Sequence, residues 1–227
     1  MEDKFSWFWL STELKFNDLE KYAVSVEEFL QSKSKEFEDL VEKETLGLNY
    51  TQQEKLEYFD HKYADDYLNY KNSFPNILRR SLFLHIYSTF EQLLMSLCLE
   101  YEDKLSNKIK LDDLRHKGIK KAQVFLKRAA CIPFPDDVPE WTKIKNYNEI
   151  RNHFAHDGRR VCSENSSLYK AIINTEGVIS KLMIKDPVSN EILHDFELTE
   201  EFCINAIETI KNFLFLLDAK IPIEHVR

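Results

Sequence analysis

Residues 73–98 read SFPNILRRSLFLHIYSTFEQLLMSLC. Ile77, Leu78, Leu82, Phe83, Ile86, Phe90, Leu93, Leu94 and Leu97 recur at three- and four-residue steps and cover most of a helical circumference. A helix apolar on nearly every side belongs in the centre of a bundle. Ser73 is placed to cap its start, and Pro75 falls in the first turn, where a missing N–H costs nothing. His85, Glu91 and Gln92 interrupt the run from Leu82 to Cys98, which is also too short to cross a bilayer. His85 is expected to be a satisfied core histidine.

The surrounding segments are helical too. From Asn17 to about Glu44, Leu19, Tyr22, Val26, Phe29, Leu30, Phe37 and Val41 form one apolar stripe, ended by Gly47. Thr51 is a plausible N-cap for a second helix through about Tyr70. A basic helix is expected from Leu111 to Ala129, then a proline-rich connection over 132–139 that cannot stay helical. Another helix spans Glu140–His156, with Asp157-Gly158 as its stop. Residues 182–184 and 192–196 flank a turn at Asp186–Asn190, a minor β-hairpin. Thr199 is expected to cap a last helix through Leu217. The fold class is all-α: an up-down helical bundle with a minor hairpin near 182–196. An acidic N-terminal helical extension (1–72) and the bundle (73–227) are its two expected parts.

Composition agrees with this. In 227 residues, 43% are hydrophobic and 31% charged, with four glycines and six prolines. So few turn-formers argue against a many-stranded β protein. The four scattered cysteines lack CxxC spacing and read as reduced thiols of a reducing compartment. No secretory leader is expected from the acidic opening and the short apolar run after it, so the chain reads as cytoplasmic, with no membrane partner. The net charge of −8 disfavours nucleic acid, but its distribution does not. Lys104–Arg128 holds nine Lys/Arg against Asp112 and Asp113, a local +7 that leaves −15 elsewhere. Such a strip can hold phosphates, and Lys117, Lys120 and Lys121 are its candidate RNA contacts.

On the helix Glu140–His156, Ile144, Tyr147, Ile150 and Phe154 share one side. Glu149, Asn152, His153 and His156 gather on the other, with Arg151 at the margin. Asn152 and His156, four apart, lie one above the other. His156 is in the last turn, where the helix dipole favours an imidazolium, as acid/base chemistry near neutral pH requires. Arg151 can clamp a phosphate, and Arg159 and Arg160 add charge just past the helix end. Cutting RNA through its 2′-hydroxyl needs a base, an acid and a cation, with no metal.

The segment Arg151-Asn152-x-x-x-His156 resembles the R-[polar]-x3-H signature of HEPN domains, helical bundles common among prokaryotic toxins and antiviral RNases. The helix bearing residues 87–94 (YSTFEQLL) looks like the family's other conserved helix. The resemblance implies a homodimer in which two such motifs form one metal-independent, cofactor-free RNA-cutting site. It implies Arg151 as phosphate ligand, His156 as acid/base and Asn152 as their orienter, with Glu91 and His153 in support. It also implies an antitoxin or other regulatory partner. Gly158 stands where one branch of the family has a tyrosine, which puts AMPylation control in doubt. Metal binding by His153 and His156 lacks a further His/Cys cluster to complete it. No glycine-rich phosphate loop occurs.

Overall fold

The computed structural model describes residues 6–105, 109–156, 161–185 and 192–222. Among these residues the chain is all-α with one small antiparallel sheet. The helices are α1 (Trp7–Glu44), α2 (Gln52–Leu68), α3 (Phe74–Leu105), α4 (Gly118–Arg128), α5 (Pro139–His156), α6 (Ser167–Ile173) and α7 (Phe202–Asp218). Strands β1 (Val161–Ser163), β2 (Val178–Lys185) and β3 (Ile192–Leu198) form a sheet in the order β1-β3-β2. The expected hairpin is β2 and β3, with Ser180 opposite Phe196. The added strand β1 pairs Cys162 with His194. The hairpin's turn at Asp186–Asn190 lies outside the described residues.

α3 is the central helix. Phe83, Ile86, Tyr87, Phe90 and Leu94 are fully buried against Phe125 of α4, Ile144 and Ile150 of α5, and Phe213 and Leu214 of α7. Full burial of each such side chain contributes about 1.5–3 kcal/mol. Trp141 stacks on Phe213 with centroids 5.1 Å apart, and Phe134 meets Trp141 edge-on at 4.9 Å, so the proline-rich connection is fastened to the core. By length and composition the helical run Gln52–Lys104 could cross a membrane, but 56% of its apolar window is buried inside the protein. His85 is not in that core. It is exposed, on a stripe with Ser81, Gln92 and Ser96 that faces away from the other helices.

Four boundaries differ from expectation. The basic helix α4 starts at Gly118 rather than Leu111, because Leu111–Asp113 form only a short 3-10 turn that ends at an extended Leu114. α1 starts at Trp7 rather than Asn17, because the Ser6 hydroxyl caps it (Trp9 N–H donates at 3.2 Å) and Trp9 packs on Phe215 of α7. Ser73 caps nothing. A five-residue π turn (Asn69–Ser73) carries α2 straight into α3. That wider turn absorbs Pro75 without ending the helix, and the Asn76 side chain donates to the Asn72 carbonyl at 2.9 Å. Thr199 is likewise not the side-chain cap of α7, whose N-cap residue is Glu201. By contrast Thr51 does cap α2, in a reciprocal box with Glu54.

The expected division at residue 72 does not separate two cores. Phe16, Leu19 and Ala23 of α1 are buried in the same cluster as α3 and α7. Arg79 of α3 fixes that junction. Its Nε and Nη2 donate to the two carboxylate oxygens of Glu27 at 2.8 and 2.7 Å, and its Nη1 donates to the Leu198 carbonyl at 2.9 Å.

Candidate functional site

α5 buries Ile144, Tyr147 and Ile150 and so presents Asn148, Arg151 and Asn152 along its junction with α3. The Arg151 guanidinium is the hub. Its Nη2 donates to Glu91 Oε2 of α3 at 2.7 Å, and its Nη1 to Asn152 Oδ1 at 2.9 Å. The guanidinium carbon stands 5.7 Å from the centroid of the Tyr87 ring, within cation–π range. Tyr87, one turn before Glu91, donates its hydroxyl to Asn148 Oδ1 at 3.1 Å. The polar row of α5 is thus seated on α3 by a charged pair, an amide and an aromatic ring.

The pair is only part-buried. The Arg151 side chain is 27% exposed and that of Glu91 18%. Among the described residues, two of Arg151's five N–H groups are used. Burial pushes the Glu91 carboxyl above its ordinary value, and the nearby guanidinium recovers part of that shift. Burial also raises the Tyr87 hydroxyl well above its usual value, so it stays protonated.

The other oxygen of Glu91 points at the start of α4. Gly118 opens that helix with φ +52°, and a Cβ there would lie 2.8 Å from Glu91 Oε1. Only glycine leaves room for the carboxylate without displacing it. Lys117, the N-cap residue of α4, is exposed beside it. Lys120 is exposed and donates to Gln123 at 2.9 Å, and Lys121 is half-buried. The basic strip therefore begins where the Arg151–Glu91 pair ends.

Arg151, Asn152, Glu91 and the head of α4 come together. His153 does not join them. Its ring lies 5.5 Å from that of Phe196 and 6.3 Å from that of Phe154, half-buried under β3. Glu149, also expected to face outward, accepts from the Ser167 hydroxyl of α6 at 2.9 Å. The sheet and α6 cover that side of α5. His156 closes α5, but its side chain and residues 157–160, including Arg159, Arg160 and the expected stop at Asp157-Gly158, lie outside the described residues.

Tyr87, Asn148 and Gly118 belong to the site without having been singled out. For Tyr87 a signal existed, since it precedes Glu91 by four residues on one helical face. A second polar cluster also emerges. His194 is buried with Nε2 2.7 Å from Glu164 and Nδ1 3.1 Å from the Ser180 hydroxyl. Cys98 and Cys203 are pushed up to about 12 by burial, which removes them as nucleophiles. No group of three His, Cys, Asp or Glu suited to a metal ion occurs among the described residues.

Comparisons with protein-family models, with curated proteins and with solved structures found no match to this chain.

Proposed function

We propose that this protein is a metal-independent endoribonuclease, a toxin or phage-defence effector of the HEPN kind, cutting RNA at a site completed by a second copy. One observation carries the reading. Arg151 reaches the surface with unused donors at the head of a basic helix, while Asn152 and Glu91 fix its orientation. A guanidinium held this way can take a phosphate diester bidentately.

In the reaction, a base removes the ribose 2′-hydroxyl proton and the 2′-oxygen attacks phosphorus. The 5′-oxygen leaves with a proton from an acid, giving a cyclic phosphate. His156 is the acid/base and Arg151 steadies the charge on phosphorus. Lys117, Lys120 and Lys121 hold the strand by its phosphates along α4. The assay is cleavage of a labelled single-stranded RNA by purified protein. Arg151→Ala and His156→Ala should each lose at least about 100-fold in rate while remaining folded. Wild-type cleavage by both variants ends the proposal.

A second reading has its own support. Glu91 already neutralises Arg151, which suits a non-catalytic module that binds RNA, nucleotide or a partner protein. RNA retained on the protein with no product, in wild type and variants alike, selects it.

A further inference from the structure

α2 buries none of its side chains, and beyond Leu30 no described side chain of α1 is buried. These two helices pair with each other. Glu44 accepts from Tyr58 and Lys62, both at 2.8 Å, and Phe37 lies 5.3 Å from Tyr70. Between them runs an open groove of about 510 Å³. Glu38 and Glu42 of α1 and Asp60 of α2 flank it, Leu56, Phe59 and Tyr67 form its apolar wall, and Lys55 stands on the same side. Leu56 is 55% exposed, and Leu46 at the connecting turn is 79% exposed. Helices gain most of their stability by burying one face, and these two leave theirs uncovered.

The chemistry of the arm indicates what covers it. Lys62 rests its ammonium 5.4 and 5.2 Å from the ring centroids of Tyr58 and Tyr63 while bonding Glu44. Lys71 sits 5.3 Å from the ring centroid of Tyr67. The arm thus holds its own cations with tyrosine faces and a carboxylate, the types of group that line the groove. Residues 31–70 carry ten Asp/Glu against five Lys, which repels nucleic acid. The α4 helix of a second copy has charge but no apolar face to offer, because Ile119, Ala122, Phe125 and Leu126 are buried in its own bundle. The exposed leucines need an occupant with both.

We propose that the α1–α2 groove is the docking site for a Lys/Arg-rich amphipathic helix of a partner protein, its basic residues on Glu38, Glu42 and Asp60 and its apolar residues on Leu56 and Phe59. This is independent of whether the chain cuts RNA.

Fluorescence anisotropy of the full chain with labelled synthetic peptides tests it. The peptides are a Lys/Leu amphipathic helix, its Glu/Leu counterpart, and a Lys/Ser version without leucines. The Lys/Leu peptide should bind at least ten-fold tighter than either of the others. The double reversal Glu42→Lys/Asp60→Lys and, separately, Phe59→Ala should each weaken it about ten-fold, or about 1.4 kcal/mol. Reversal outside the arm, Asp18→Lys/Glu208→Lys, should leave it unchanged. A control peptide that binds as tightly as the Lys/Leu peptide, or equal weakening by the outside reversal, overturns the proposal. So does a dimer on a sizing column that Glu42→Lys/Asp60→Lys dissolves, which would make the occupant a second copy.

Discussion

α3 contributes to two arginine–glutamate pairs, and they are built differently. At Arg79–Glu27 both carboxylate oxygens are engaged and the third guanidinium nitrogen is taken by the Leu198 carbonyl, with side chains 17% and 16% exposed. Burial acts to lower the Arg79 guanidinium, but the Glu27 carboxylate overrides this and holds it raised. At Arg151–Glu91 a single bond joins the charges, and burial of the carboxyl outweighs the guanidinium's pull. The first pair engages all three guanidinium nitrogens and binds α1, α3 and β3 together. The second keeps a carboxylate at a free-energy cost and leaves donors unused. A part-buried pair that leaves donors over at the surface is better explained by what it binds than by what it stabilises.

The sharpest break between the two is a double dissociation. Arg151→Ala should remove at least about 100-fold of RNA cleavage with a smaller loss of melting temperature, since one bond joins it to Glu91 where Arg79 makes three. Arg79→Ala should do the reverse, leaving Glu27 part-buried and unpaired. It should cost about 3 kcal/mol, seen as a melting temperature lower by about 6–12 °C. Equal melting losses in both variants would erase the distinction.

Gly118→Ala comes next. Its positive φ costs about 1–2 kcal/mol with a side chain, and the added Cβ displaces the Glu91 carboxylate. Melting should fall by about 2–8 °C, and cleavage should fall with Arg151 no longer held. A variant that melts lower but cleaves at the wild-type rate would detach Glu91 from the site.

Glu91→Gln should have the smallest effect on stability and the most informative sign. A carboxyl whose folded value is raised contributes its stability at low pH and loses it as pH rises through that value. Glutamine does not ionise, so the variant's melting temperature relative to wild type should climb as pH is raised across the glutamate range. A constant difference would mean that Glu91 is not strained by burial.

Much of the fold was legible because it rests on local chemistry. The period of α3, the Thr51–Glu54 box, the extent of α5 and the hairpin each follow from residues within a few positions of one another. So did the polar stripe Ser81, His85, Gln92, Ser96, which should have placed His85 outside. Ser73-Phe74-Pro75 misled, because a π turn absorbs a proline that an α-helical reading treats as a start. At the site, Arg151 and Asn152 could be read from their helix, but the partner on α3 could be weighed only as a weak candidate. His153 was assigned to the wrong environment because its cover comes from β3, more than forty positions away, and α6 was too short to read. The His194 cluster joins residues 14 and 30 positions apart through sheet register, which single-sequence periodicity does not encode.

The outer part of α1 behaves as a boom. From Leu30, the last buried of the described side chains before the turn, to Glu44 it extends about 21 Å at 1.5 Å per residue. Helical backbone runs unbroken into the bundle along α1, and along α2 through the π turn into α3. Cargo carried at its end is therefore held at a set offset and bearing from the bundle. Lengthening both struts by seven residues, two helical turns, would move that cargo outward by about 10 Å while nearly preserving the side on which it rides.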